Sequence, residues 1–152
     1  LMELFTPDPE NPKADPIFDY SFRSYVGDKL AGRRKDVADK TDLVIRARSL
    51  MEGPRPLQIA LVTKDGAAYG VTLKLQPTLE QYRIPMEDLK PVPTVTLPRP
   101  YPTFLPYYLE HDLEAGLSLD QFESLQFSIG PGLRNNQLDQ PHAIGIEQVF
   151  LE

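Results

Sequence analysis

Residues that could carry out catalysis are few in this sequence. It contains no cysteine and two histidines, His111 and His142. No serine stands in a Gly-x-Ser-x-Gly turn, so the sequence indicates neither a thiol nor a serine nucleophile. The 22 Asp and Glu residues always supply some carboxylate pair, but no pair is picked out by its surroundings as glycoside hydrolysis would require. The sequence therefore predicts a domain without a catalytic apparatus of its own.

A proline-rich segment, residues 99–108 with the sequence RPYPTFLPYY, holds four aromatic residues. Sugars have apolar C–H faces that stack on flat rings, and their hydroxyls pair with planar polar groups. The prolines stiffen the loop and so lower the cost of ordering it on binding. We predict that a glycan contacts Arg99, Tyr101, Tyr107 and Tyr108. The alternative is that the rings form the loop's own small core or pack against a neighbouring domain.

A second polar loop carries Arg134, Asn135 and Asn136. An arginine beside two amides suits the recognition of hydroxyl groups, so this loop is included in the predicted glycan site. Asparagines are also good turn residues, and a plain turn is the simpler interpretation.

A calcium site is a further candidate, although no Asp-x-Asp-x-Asp-Gly loop is present. Calcium prefers carboxylate and carbonyl oxygens, and sandwich domains of the binding-module type often hold a structural calcium between acids near both termini. Glu3, Asp8 and Glu147 could supply such ligands here. The simpler alternative is that no ion is bound.

Charge argues against nucleic acid as a partner. The net charge is −6 and the isoelectric point is near 4.9, whereas nucleic-acid binding requires a basic patch or stripe. The short basic run at residues 33–35 is followed at once by Asp36. No apolar stretch is long enough to span a bilayer, so no membrane span is predicted.

Alternation of apolar and polar residues predicts a mostly β structure, because side chains alternate between the two faces of a strand. The 16 prolines divide the chain into short pieces and argue against a helical bundle. We predict an all-β jelly-roll sandwich of antiparallel strands with long proline-rich loops. Residues 1–16 are a linker or edge segment, and residues 17–152 form a single domain. The predicted strands are 17–26, 42–50, 57–64, 68–75, 79–84, 125–130 and 143–151. Asp65-Gly66 between two of them predicts a hairpin, and the charged residues 27–40 are expected to form a loop with one helical turn.

The stretch from Leu57 to Leu151 resembles galactose-binding-domain-like β-sandwiches attached to polysaccharide-degrading proteins of gut Bacteroidetes. The resemblance lies in LQIALVTKDGAAYGVTL, EQYRIPMEDLKP, RPYPTFLPYY and the ending SLQFSIGPGL to IGIEQVFLE. It implies a non-catalytic carbohydrate-binding module that accompanies a glycoside hydrolase and is secreted, periplasmic or on the cell surface. Its partners would be a glycan or polysaccharide and the other domains of the parent chain. The alternative is a structural accessory domain that packs on a glycoside hydrolase catalytic domain and binds no sugar itself.

Overall fold

The computed structural model describes residues 2–4, 17–37, 39–92, 121–130, 133, 137 and 140–152. Within these residues the chain forms nine strands, two short α-helices and one 3-10 helix, Met86–Asp88. The strands are β1 Met2–Leu4, β2 Ile17–Tyr25, β3 Asp42–Ser49, β4 Arg55–Thr63, β5 Ala68–Leu75, β6 Glu80–Pro85, β7 Lys90–Pro91, β8 Phe122–Ile129 and β9 Ile144–Leu151. The helices are α1 Gly27–Ala31 and α2 Arg34–Val37.

The strands form two sheets in which all paired neighbours are antiparallel. The larger sheet has the order β1-β2-β8-β4-β5-β7, and the smaller has the order β6-β3-β9. The direction of every pairing confirms the predicted antiparallel all-β architecture. Residues 93–120, which hold most of the predicted proline-rich loop, lie outside the described residues.

The core lies between the two sheets. Leu57, Ile59 and Leu61 point inward at alternate positions of β4, as strand geometry requires. Alternate residues of β3 belong to the same buried cluster, so the sheets pack face to face. Burial of one such aliphatic side chain contributes about 1.5–3 kcal/mol, which makes this two-layer core the main stabilising element. The β3 members of the cluster are Leu43, Ile45 and Ala47.

The turn between β4 and β5 confirms the hairpin predicted from Asp65-Gly66. Gly66 has a φ of 94°, a left-handed conformation that glycine adopts without steric cost. The amide of Thr63 donates to the carbonyl of Ala67 at 2.7 Å. The Thr63 hydroxyl also donates to the Asp65 carboxylate, so the turn is held by both its backbone and its side chains.

Two parts of the chain differ most from the sequence prediction, namely the start of β8 and residues 27–37. Strand β8 begins at Phe122 rather than Leu125, which adds three residues to the centre of the larger sheet. Residues 27–37 hold the two short helices where a loop with one helical turn was expected. In the described part of the chain, no helix is long and apolar enough to cross a membrane.

Candidate functional site

All residues of the predicted glycan site lie outside the part of the chain that the structure describes. This holds for Arg99, Tyr101, Tyr107 and Tyr108 of the aromatic segment, and for Arg134, Asn135 and Asn136 of the polar loop. Their role in glycan binding therefore stays a prediction.

The predicted calcium ligands are only partly described. Glu3 lies in β1 of the larger sheet, Glu147 lies in β9 of the smaller sheet, and Asp8 lies outside the described residues. The carboxylate of Glu147 forms an ion pair with the Arg46 guanidinium, with 3.2 Å between Oε2 and Nε. The described residues include no group of three or more metal-ligating side chains. Calcium binding stays a prediction, and the carboxylate of Glu147 already has a cationic partner.

The outer surface of the larger sheet carries a polar layer that the sequence analysis did not identify. Strand register places side chains of β2, β8 and β4 in cross-strand rows on this surface. One row reads Ser21, Ser128 and Gln58, the next reads Arg23, Gln126 and Ala60, and the third reads Tyr25, Ser124 and Val62. We call the seven polar and aromatic members of these rows the polar face: Ser21, Arg23, Tyr25, Gln58, Ser124, Gln126 and Ser128.

A closed hydrogen-bond network occupies the β2–β8 half of the polar face. The Arg23 guanidinium donates to the side-chain oxygen of Gln126 from Nε at 3.1 Å and from Nη2 at 2.5 Å. The Gln126 amide nitrogen donates to the hydroxyls of Ser128 at 3.0 Å and Ser21 at 3.3 Å. The two serine hydroxyls are themselves 3.0 Å apart. Each side chain orients the next, so donors and acceptors are held in fixed positions on this face.

The middle of the polar face is buried and retains unused hydrogen-bonding capacity. Ser124 and Gln126 are 0% and 1% exposed, and Gln58 is 3% exposed. Within the described part of the chain, the Gln58 amide nitrogen and the Ser124 hydroxyl are buried and have no hydrogen-bond partner. A buried polar atom without a partner costs about 1–3 kcal/mol, so these two groups lower the stability of the fold.

The β2 side of the polar face is open. Tyr25 is 65% exposed, Ser21 is exposed and Arg23 is half-buried. Tyr25 and Arg23 are two residues apart on one strand, so they stand on the same surface. An exposed ring beside a guanidinium places a stacking surface next to a charged polar group.

Small residues continue the outer surface toward β5. Ala60 on β4 stands opposite Gly70 on β5. A Cβ atom on Gly70 would lie 2.4 Å from the carbonyl oxygen of Ile59 and 2.8 Å from Cβ of Ala60. Glycine is therefore needed at this position, because it allows the backbone of β5 to come close to β4.

The chemistry of the polar face suits recognition rather than bond cleavage. Its described side chains are hydroxyls, primary amides, a guanidinium and a phenol, none of which is a ready general acid or base near neutral pH. Hydroxyls and amides both donate and accept, as do the hydroxyls of a sugar.

A sequence signal for the polar face did exist. In β8 the apolar residues Leu125 and Phe127 alternate with Ser124, Gln126 and Ser128. That alternation shows one polar surface on a strand, but only the pairing of β8 with β2 brings Arg23 against Gln126.

Comparison with known proteins gives a weak structural likeness. No protein-family model and no curated protein matches the chain. Two solved structures are similar, and both are family 11 carbohydrate-binding modules from Clostridium thermocellum. The first belongs to the cellulosomal cellulase Lic26A-Cel5E, with 12% identity and a TM-score of 0.49 over 90% of this chain and 67% of that chain. The second is in complex with a β-1,3-1,4-mixed-linked tetrasaccharide, with 12% identity and a TM-score of 0.46 over 75% and 59%.

Both similar structures are of the class that the sequence resemblance predicted, namely carbohydrate-binding modules. The chain spans about two thirds of the first structure and 59% of the second. At this identity and TM-score the likeness carries no argument about ligand or site, and the relation to gut Bacteroidetes stays a prediction.

Proposed function

We propose that this domain is a non-catalytic carbohydrate-binding module and that the open β2 side of its polar face contacts the glycan. The observation that carries the proposal is the network joining Arg23, Gln126, Ser21 and Ser128 beside the exposed ring of Tyr25. It presents preoriented polar groups and a stacking surface at one place.

The physical case follows from what a sugar needs. A pyranose ring has an apolar face that loses contact with water when it stacks on an aromatic ring. Its hydroxyls must exchange water for protein partners, and each unmade bond costs affinity. Tyr25 supports the first requirement. The exposed hydroxyl of Ser21 and the half-buried guanidinium of Arg23 support the second.

Binding is tested first by screening the domain against plant, host and microbial polysaccharides on a glycan array. The ligand found is then titrated calorimetrically against wild type and two variants of β2, Tyr25→Ala and Phe22→Ala. These two positions are a matched pair because both side chains are 65% exposed and they stand on opposite faces of one strand. We expect Tyr25→Ala to weaken glycan binding about tenfold, while Phe22→Ala leaves the affinity unchanged.

Arg23→Lys tests the guanidinium itself. Lysine keeps the positive charge but lacks the planar fork that donates twice to Gln126, so we expect a loss of about tenfold in affinity. Arg46→Lys is the control, since Arg46 is a half-exposed strand arginine of the other sheet. If Tyr25→Ala and Arg23→Lys both bind the glycan as wild type does, the polar face is not the site.

The predicted aromatic loop is tested separately. Tyr107→Ala and Tyr108→Ala lower glycan affinity if that loop also takes part, and leave it unchanged if the polar face acts alone. A folded domain that binds no polysaccharide on the array, with calcium supplied, supports the alternative of a structural accessory domain. Location outside the cytoplasm and attachment to a glycoside hydrolase belong to the same proposal.

A further inference from the structure

A groove opens on the opposite side of the larger sheet from the polar face. Strand β9 is the edge of the smaller sheet, and it forms one wall of a cavity of about 510 Å³. The inner surfaces of β2 and β8 form the facing wall, and α1 lies at one end. Ligand pockets in proteins occupy about 300–1,000 Å³, so this volume suits a small molecule.

The lining of the groove is mostly apolar, and part of it is exposed. Phe22 and Ile146 are 65% and 40% exposed although both line the groove. Exposed large apolar side chains that converge on one cavity indicate a surface that binds something. Most of the remaining apolar lining comes from α1, β3, β4, β8 and β9.

Two charged side chains line the groove, and they differ in their partners. The carboxylate of Glu147 is neutralised by Arg46 at 3.2 Å. Lys29 on α1 is exposed and has no ion-pair partner among the side chains that the structure describes. The uncompensated charge of the groove is therefore positive, next to Leu30, which packs against the core.

The edge of β9 is not suited to an added strand. Arg46 pairs with Gln148 and Ala47 pairs with Ile146, which leaves Glu147 as an extra residue in a β-bulge. A bulge and a charged residue on an edge strand are the devices by which proteins prevent strand addition. A small molecule fits the groove better than a peptide strand or a second copy of the sheet.

We infer that the groove binds a small amphipathic anion, with an apolar body against Phe22 and Ile146 and a carboxylate at Lys29. The apolar body of such a ligand matches the apolar lining, and its carboxylate matches the uncompensated ammonium of Lys29. This site is separate from the polar face, and the two can be tested independently.

The test uses dodecanoate as the probe, with dodecanol and dodecyltrimethylammonium as the uncharged and cationic comparisons. Each of the three compounds is titrated into the whole domain, and its displacement of the fluorescent anion 8-anilinonaphthalene-1-sulfonate is measured. The concentration of each compound is kept below the point at which it forms micelles or separates from solution. We expect dodecanoate to bind more tightly than the other two compounds. Lys29→Gln weakens dodecanoate about twofold to fivefold, the range of an exposed ion pair, and leaves dodecanol unchanged. Lys35→Gln is the control, because Lys35 is an exposed lysine of α2 outside the groove.

Two variants of β2 test whether dodecanoate binds in the groove. Ser24→Phe fills the groove, and Phe22→Ala removes part of its lining without disturbing a buried residue. Each is expected to weaken dodecanoate about tenfold, while Tyr25→Ala has no effect. Equal binding of the anionic and cationic compounds, or unchanged binding in both groove variants, overturns the inference. So does a stable dimer in sedimentation that dissociates in Phe22→Ala, because the groove would then be an interface between copies.

Discussion

Arg23 on β2 and Gln126 on β8 stand directly opposite each other in the larger sheet, and the guanidinium donates twice to the one amide oxygen. This pair fixes the Gln126 amide, whose nitrogen then donates to Ser21 and Ser128. A buried glutamine is retained in the middle of a sheet because all of its polar atoms find partners.

Replacement of Gln126 separates the structural role of the network from its role in binding. Gln126→Leu keeps the size of the side chain but removes the acceptor for Arg23 and the donor for two serine hydroxyls. We expect the free energy of unfolding to fall by about 1–3 kcal/mol and glycan affinity to fall about tenfold. Urea denaturation and calorimetric titration measure the two effects. Lower stability with unchanged glycan affinity would mean that the network only holds the sheet together.

A substitution at Gly70 tests the close approach of β5 to β4. Gly70→Ala places a Cβ within 2.4 Å of the Ile59 carbonyl oxygen, so the strands must separate. Overpacking of this kind costs about 1–3 kcal/mol. Gly53→Ala is the control, because its nearest contact would be 3.6 Å from the end of the Arg55 side chain. Equal midpoints for the two variants in thermal unfolding would contradict the close packing.

Substitutions in the aliphatic core between the sheets are expected to have the largest effect on the free energy of unfolding. Ile59 is fully buried in β4, so Ile59→Ala leaves a cavity and is expected to cost about 2–5 kcal/mol. Leu79→Ala, at an exposed position before β6, is the matched control and should change stability by less than about 0.5 kcal/mol. Chemical denaturation measures both, and a small effect at Ile59 would argue against its central position.

An ion-pair group ties the three strands of the smaller sheet together at one end. Arg83 on β6 donates to Asp42 on β3 at 3.2 Å and also contacts the Glu152 carboxylate next to β9. All three side chains are at least partly exposed, so Arg83→Met is expected to cost no more than about 1 kcal/mol. Measured in 1 M NaCl, the difference from wild type should shrink, because salt screens exposed pairs. A difference that does not change with salt would point to lost packing of the arginine stem.

The sequence by itself determined the class of fold. Period-two alternation, the Asp65-Gly66 turn and the absence of long helical patterns specify short antiparallel strands, because each is a local property of neighbouring residues. The ends of β2 to β6, β8 and β9 were predicted to within three residues for the same reason, whereas the two-residue strand β7 was not predicted.

Only the tertiary structure decided which polar side chains meet. Arg23 and Gln126 are 103 residues apart, and nothing local in either strand specifies that β8 lies between β2 and β4. The groove likewise exists because the larger sheet is wider than the smaller one. Strand β9 therefore does not cover Phe22. Alternation shows that a strand has a polar and an apolar surface, whereas the pairing of distant strands and the stacking of sheets determine what those surfaces face.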